Sequence, residues 1–215
     1  MKKIVIFLSI IAFTANSYGQ EMDITKVKNW YVKTDSIKNL NRPFILDNDF
    51  KIKLFKLEKQ HPAIFFETFF EYLEKDKYDE CAFLYCLGNI RYAYYNVTNK
   101  KYEPSGDGAL FASLKYITGE IISIYLKNDI DKYIEILNSV NDYVKTNVYS
   151  FHSKKIDFKI YNELQYNKLI DNLNKNRDKF IEEWTEEREK MIERLDESIE
   201  EYNNMSEEEK EKLKN

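Results

Sequence analysis

Hydrophobic residues recur every three or four positions along most of the chain, which is the spacing of amphipathic α-helices. The clearest case runs from Pro62 to about Lys75, where an acidic stripe of Glu67, Glu71 and Glu74 interrupts the apolar residues. Pro62 is suited to the first position of that helix. A second helix is predicted from Asp79, which is expected to cap its N-terminus, to about Asn96. The short connection between the two helices predicts an antiparallel helical hairpin.

Further helices are predicted on both sides of this hairpin. A third strong helix is predicted over 109–126 and a fourth over 130–144. The pattern over 24–40 predicts a weaker helix, and a short helix is preferred to an edge strand over 52–57. Segment 148–161 is less regular and could include a short strand. With only five Gly and three Pro in 215 residues, the chain is expected to be all-α or mainly α: an antiparallel helical bundle with short turns.

The last quarter of the chain has a sustained apolar rhythm from Asn162 to about Asn203, which predicts a long amphipathic helix. Unbroken, it would be about 60 Å long, whereas a compact domain of this size is roughly 40 Å across. The helix should therefore protrude, pair with another helix or fold back, with 172–176 as the expected break. The apolar seam of this helix could pair with the same helix of a second chain. A coiled coil that forms a homo-oligomer through 162–203 is therefore one alternative.

The N-terminus has the three parts of a secretory signal peptide. Lys2 and Lys3 precede an apolar run from Ile4 to Phe13, and Ser17 and Gly19 supply small residues for cleavage. The apolar run is too short to span a bilayer, and no later segment was expected to span one. These features predict a signal peptide over 1–19, a helical domain over 20–161 and a charged helical segment over 162–215, in a periplasmic or secreted protein.

Acidic residues are concentrated at the C-terminus. The net charge of the whole chain is −4, and it becomes −6 once Lys2 and Lys3 are removed. Residues 181–215 alone hold 14 acidic against six basic residues. This balance argues against nucleic-acid binding, and a solvated helix face is the ordinary interpretation of such a charge run.

Two cysteines, Cys81 and Cys86, lie within the second helix of the hairpin. Residues five apart on a straight helix are rotated by about 140° and lie about 8.7 Å apart, beyond the ~7 Å limit between the Cα atoms of a disulfide. No disulfide is therefore expected between them within the helix. They are expected to act as buried thiols, with an intermolecular or distorted bridge as the alternative.

Polar residues inside apolar helices are the candidates for chemistry. Asn89, Arg91 and Glu120 interrupt apolar runs, and Glu67 lies between Phe66 and Phe69. A half-buried arginine needs an acid, so Glu67 or Glu120 is the expected partner of Arg91. The functional alternative is a polar pocket lined by Tyr92, Tyr94 and Tyr95.

Recognisable catalytic motifs are missing from the sequence. It has no nucleophile elbow, phosphate-binding loop or paired metal-ligating histidines. His61 and His152 are interpreted as structural or incidental, and neither a cofactor nor a metal is expected. Asp107, in the loop Ser105–Gly108, is expected to cap the following helix, although that loop could instead offer backbone N–H groups to an anion.

The leading hypothesis is an exported, soluble helical protein that binds another exported or envelope protein, through the helices of 62–96 or the acidic helix over 184–202. One alternative is a hydrolase that uses carboxylates such as Glu67 and Glu120 around Arg91. Another is a structural protein that self-assembles through the C-terminal helix. The candidate binding residues are Glu67, Asn89, Arg91, Tyr92, Asp107 and Glu120.

Overall fold

The computed structural model describes residues 24–38, 42–99, 103–147, 149–151 and 158–206. The predicted signal peptide and His152 lie outside them. The described residues form helices and connecting turns without a β-strand, so the all-α class is confirmed. The short strand considered for 148–161 is not present in the described part of that segment, where Phe158–Leu164 is helical.

The helices are defined in chain order, and a π-helical turn at Pro104–Gly108 separates α4 from α5. Their bounds are α1 Ile24–Lys38, α2 Asn48–Leu57, α3 Ala63–Leu73, α4 Tyr78–Thr98, α5 Ala109–Leu126, α6 Ile130–Thr146, α7 Phe158–Leu164, α8 Asn167–Lys175 and α9 Arg177–Asn204. The break predicted within 172–176 falls at Asn176, between α8 and α9.

The chain divides into two compact units, one of which contains residues 41–180. Helix α4 is the centre of this unit and packs against α3, α5, α6 and α7. Its residues from Cys81 to Leu84 are completely buried, as are Phe65, Phe66 and Phe69 on α3. The densely apolar hairpin predicted from the sequence therefore forms the core of the unit.

The other unit contains α1 and the part of α9 from Ile181 onward. Leu195 of α9 is completely buried, and Thr34 of α1 is 1% exposed. Arg188 of α9 pairs with Asp35 of α1 at 2.9 Å, and Lys28 of α1 pairs with Asp196 of α9. Within this unit the C-terminal helix is therefore paired with α1.

Two helix starts follow ordinary capping chemistry, and two predicted caps are wrong. Asp47 and Asp129 accept hydrogen bonds from backbone N–H groups of α2 and α6. Asp79, predicted to cap α4, instead accepts a hydrogen bond from the Tyr125 hydroxyl of α5. Asp107 lies within the π-helical turn and caps no helix; α5 begins after Gly108.

Close packing of α3 on α4 depends on Gly88. A Cβ atom at this position would lie 3.0 Å from the Cβ of Phe65 and 3.2 Å from a ring carbon of Phe66. Because the first neighbour is attached directly to the backbone, a larger residue would push the two helices apart. The absence of a side chain at Gly88 therefore allows α3 and α4 to pack closely.

The segment Ser105–Leu126, which includes α5, is long and apolar enough to cross a membrane by length and composition alone. This corrects the expectation that no segment after the signal peptide would meet that criterion. In the fold, α5 packs on α4, α3 and α6 and buries residues such as Leu114, Ile117 and Ile122. A core helix of a globular protein has the same properties.

Candidate functional site

The most concentrated polar cluster surrounds Arg91, which is completely buried on α4. Its Nε and Nη2 atoms donate to one carboxylate oxygen of Glu58, at 3.1 and 2.7 Å. Nη2 also donates to the backbone carbonyl of Asn147 at 2.7 Å, and Nη1 donates to the Tyr161 hydroxyl at 2.8 Å. The guanidinium therefore joins four separate segments of the unit.

Glu58 extends this cluster through its backbone. Its carbonyl accepts hydrogen bonds from the Phe151 N–H and the Ser150 hydroxyl, both at 3.0 Å. The Tyr149 hydroxyl donates to the carbonyl of Gln60 at 2.8 Å. The short segment 149–151 is thereby fixed to the turn between α2 and α3.

Aromatic rings seal the ion pair. The Arg91 guanidinium carbon lies 5.6 and 5.4 Å from the ring centroids of Tyr149 and Tyr161. Tyr161 in turn stacks on Tyr94 at 4.1 Å. Burial raises the pKa of Glu58, although Arg91 opposes the shift, and burial with the nearby Glu58 raises the pKa of Tyr143. With no exposed surface on Arg91, the cluster is suited to holding segments together rather than to binding a substrate.

The partner of Arg91 differs from the two predicted. Glu67 on α3 and Glu120 on α5 are both exposed to solvent. Glu58 fulfils the role because α2 ends beside α4 and carries this residue into the core, where only 4% of it remains exposed. The expectation of an ion pair at Arg91 is confirmed, but Glu67 and Glu120 do not take part.

The remaining candidates do not form one pocket with Arg91. Tyr92 is completely buried, faces the α3–α5 side of α4 and stacks on Phe111 at 4.6 Å. Asn89 is half-buried, and its side-chain oxygen has no hydrogen-bond partner among the described residues. Adjacent positions on α4 thus point to different parts of the core.

Asp107 belongs to a second cluster, around His61. Its carboxylate oxygen lies 3.4 Å from Nε2 of His61, and the Tyr95 hydroxyl is hydrogen-bonded to the same carboxylate. Nδ1 of His61 accepts from the N–H of Ala63 at 3.3 Å, and its ring packs edge-on against Tyr92 and Tyr95. Both imidazole nitrogens therefore face a polar partner within the protein.

Cys81 and Cys86 are free and buried, on an unbroken α4. The Cys81 thiol donates to the carbonyl of Phe69 at 3.4 Å. Burial raises the pKa of Cys86 to about 12. Burial also raises the pKa of Cys81 above its ordinary value. Among the residues that the structure describes, no group of three His, Cys, Asp or Glu side chains could hold a metal ion.

Helix α2 carries a basic and apolar surface. This surface was not among the binding surfaces predicted from the sequence. We define the α2 face as its outward side, formed by Lys51, Ile52, Phe55, Lys56 and the adjoining Lys59. Ile52 is 56% exposed and Phe55 63%, and the Lys59 ammonium lies 3.8 Å from the centroid of the Phe55 ring. The positions recur at helical spacing, which is the signal that could have revealed this surface.

The two surfaces that sequence analysis proposed differ in their exposure. The hairpin of α3 and α4 is mostly buried, so most of its aromatic rings are unavailable to a partner. Helix α9 exposes its acidic residues along most of its length. Comparisons with protein-family models, curated proteins and solved structures found no match to this chain.

Proposed function

We propose that the protein acts by binding another protein in the periplasm or outside the cell, with the α2 face as its docking surface. The observation that supports this proposal is the exposure of Ile52 and Phe55 on a helix whose opposite side is fixed in the core. Phe50, Leu54 and Leu57 anchor that side and are at most 2% exposed. The α2 face is thus presented on a helix already fixed in place.

The composition of the α2 face favours recognition over a purely structural role. Exposure of large apolar side chains to water is unfavourable. A partner that covers them would therefore gain binding free energy. Aromatic residues are frequent among the side chains that dominate binding energy. Three surrounding lysines would select a partner with acidic groups beside an apolar surface.

The geometry around Arg91 does not support the hydrolase alternative. It required Glu67 and Glu120 to flank an accessible Arg91. Both carboxylates are instead solvent-exposed on α3 and α5, and Arg91 is enclosed with its hydrogen bonds satisfied. The self-assembly alternative relied on the apolar seam of the C-terminal helix, of which Leu195 is buried within the unit that α9 forms with α1.

Site-specific cross-linking tests the binding proposal. A photo-activatable residue replaces Phe55 in the full chain, which is then expressed in its native cell. Val97 on α4 is the matched control, because it is a similarly exposed apolar residue, 66% exposed, outside the α2 face. We expect a discrete cross-linked product from position 55 and none from position 97. Equal products from both positions, or none from position 55, would contradict the proposal.

The exported location rests on the N-terminal sequence pattern and has its own test. We expect the mature chain to begin near Gln20 when the protein from the envelope or medium is sequenced from its N-terminus. Recovery of a chain that still begins with Met1, in the cytoplasmic fraction, would contradict export. Replacing Ile6 with Asp, which interrupts the apolar run, should retain the precursor inside the cell.

A further inference from the structure

Helix α9 presents a continuous acidic stripe. The carboxylates recur at intervals of three, four or seven residues and are all exposed, so they lie on one side of the helix. Leu195, which packs into the unit that α9 forms with α1, points away from this side. We define the acidic stripe as Glu182, Glu186, Glu189, Glu193 and Glu200.

The acidic stripe has little internal compensation. Glu186 pairs with Lys190 at 2.9 Å, but both side chains are well exposed, at 59% and 64%, and such pairs contribute little. Like charges four residues apart on a helix repel one another. A cationic partner would therefore relieve a repulsion already present along α9.

The α2 face has the opposite charge. Lys53, at its edge, pairs with Glu71 at 3.0 Å, whereas Lys51 and Lys56 make no ion pair with any described residue. The three lysines of the face span about 12 Å along the helix axis, and the acidic stripe from Glu182 to Glu200 spans about 27 Å. The two surfaces thus carry opposite charges, and the acidic stripe is long enough to cover the whole α2 face.

We propose that the α2 face binds the acidic stripe of a second copy of this chain. Lys51, Lys56 and Lys59 would pair with the carboxylates of α9 in the other copy, and Ile52 and Phe55 would pack on the aliphatic parts of its glutamates. This inference rests on the proposed function, because it uses the α2 face as the docking surface and identifies the bound protein as a second copy of the same exported chain.

The size of the surfaces predicts how the copies associate. A ten-residue helix is only about 15 Å long, so one contact buries less than the ~1,200 Å² of a stable interface. We therefore expect a weak association that is lost at high salt, because the contact depends on exposed charges.

A charge-swap experiment with the full mature chain tests this inference. One variant carries Lys51→Glu, Lys56→Glu and Lys59→Glu, and the other carries Glu182→Lys, Glu186→Lys and Glu189→Lys. Sedimentation equilibrium of the native protein in 50 mM salt should show an average mass that rises above the monomer mass as the concentration increases. Each variant alone should associate at least tenfold more weakly, and an equimolar mixture of the two should recover association.

A matched control changes the same amount of charge elsewhere. Lys115, Lys168 and Lys175 are exposed outside the α2 face, so replacing these three with Glu should leave association within twofold of the native protein. A native chain that stays monomeric at all concentrations would overturn the inference, and so would a mixture that fails to recover association. Loss of binding to phosphatidylglycerol vesicles in the lysine variant, without any self-association of the native chain, would assign the α2 face to membranes and also overturn it.

The outcomes separate this inference from the proposed function. Cross-links from position 55 to a different protein, with a monomeric native chain, would support the function and overturn the self-association. Self-association with cross-links between copies would support both proposals, and a monomeric native chain without cross-links from position 55 would overturn both.

Discussion

Arg91 and Arg188 make nearly the same set of contacts in the two units of the molecule. Each guanidinium binds a carboxylate and a backbone carbonyl, donates to a hydroxyl group and lies over a tyrosine ring. Their surroundings differ: Arg91 and Glu58 have side-chain exposures of 0% and 5%, whereas Arg188 and Asp35 have 14% and 50%. Arg188 also donates to the carbonyl of Tyr31.

The comparison predicts that burial, rather than the number of contacts, decides how much such a cluster contributes to stability. Water can solvate Asp35 if Arg188 is lost, so the pair gains little over its separated charges. Glu58 has no such alternative, because its removal from water has already cost free energy that Arg91 offsets. The same contacts should therefore be indispensable in one unit and nearly neutral in the other.

The largest effect is expected from Arg91→Met, which leaves Glu58 buried without its cation. The free energy of unfolding should fall by about 3–5 kcal/mol, measured by urea denaturation followed by circular dichroism. The double variant Arg91→Met with Glu58→Leu removes both charges and should recover part of the loss. A cost below about 1 kcal/mol for the single variant would show that burial does not distinguish the two sites.

A smaller difference should separate the hydroxyl groups that accept from the two arginines. Tyr161→Phe leaves a buried N–H of Arg91 without an acceptor and should cost about 1–3 kcal/mol. Thr34→Val removes the corresponding acceptor of Arg188, which is 3.0 Å away, and should cost less. Equal costs in the same denaturation assay would contradict the comparison.

Arg188→Met should have a smaller effect still, within about 1 kcal/mol. A double-mutant cycle with Asp35→Asn isolates the pair itself, and its coupling energy should be close to zero. The corresponding cycle for Arg91 and Glu58 should give a clearly favourable coupling. Similar coupling energies for the two pairs would remove the distinction between them.

The smallest effect concerns the pH dependence of stability and the half-buried Asp79, which has no arginine partner among the described residues. Burial raises the pKa of Asp79 above its ordinary value of 3.8, although the Tyr125 hydroxyl opposes this shift. As pH rises through this range, the unfolded chain releases the proton first, so the stabilisation from this group is complete at low pH and is lost above the raised pKa. Asp79→Asn should remove that decline from a plot of unfolding free energy against pH, and an unchanged slope would contradict the assignment.

The sequence was informative where the packing information is local. The hairpin of α3 and α4 begins and ends within about two residues of the prediction, because Pro62 and a dense apolar pattern define it. The break at Asn176 was similarly marked by three asparagines within five residues. Such features depend on neighbours one or two helical turns away.

Long-range pairing was not predictable in the same way. The need of Arg91 for an acid followed from its apolar surroundings, but its partner Glu58 lies 33 positions earlier. The lysines around Glu58 indicated that this segment would be exposed to solvent. Asp79 and Asp107 were assigned as caps because carboxylates favour helix starts. Each instead has a side-chain partner, Tyr125 or His61, that only the tertiary structure brings near.

The two cysteines of α4 give the protein a built-in reporter of its own unfolding. Only the thiolate attacks alkylating reagents and disulfides, and burial keeps both thiols protonated and out of reach. Modification should therefore wait until α4 opens, so the rate of labelling measures the opening of the core helix. In an oxidising compartment, the same shielding would let a correctly folded chain keep its thiols while a misfolded one becomes cross-linked.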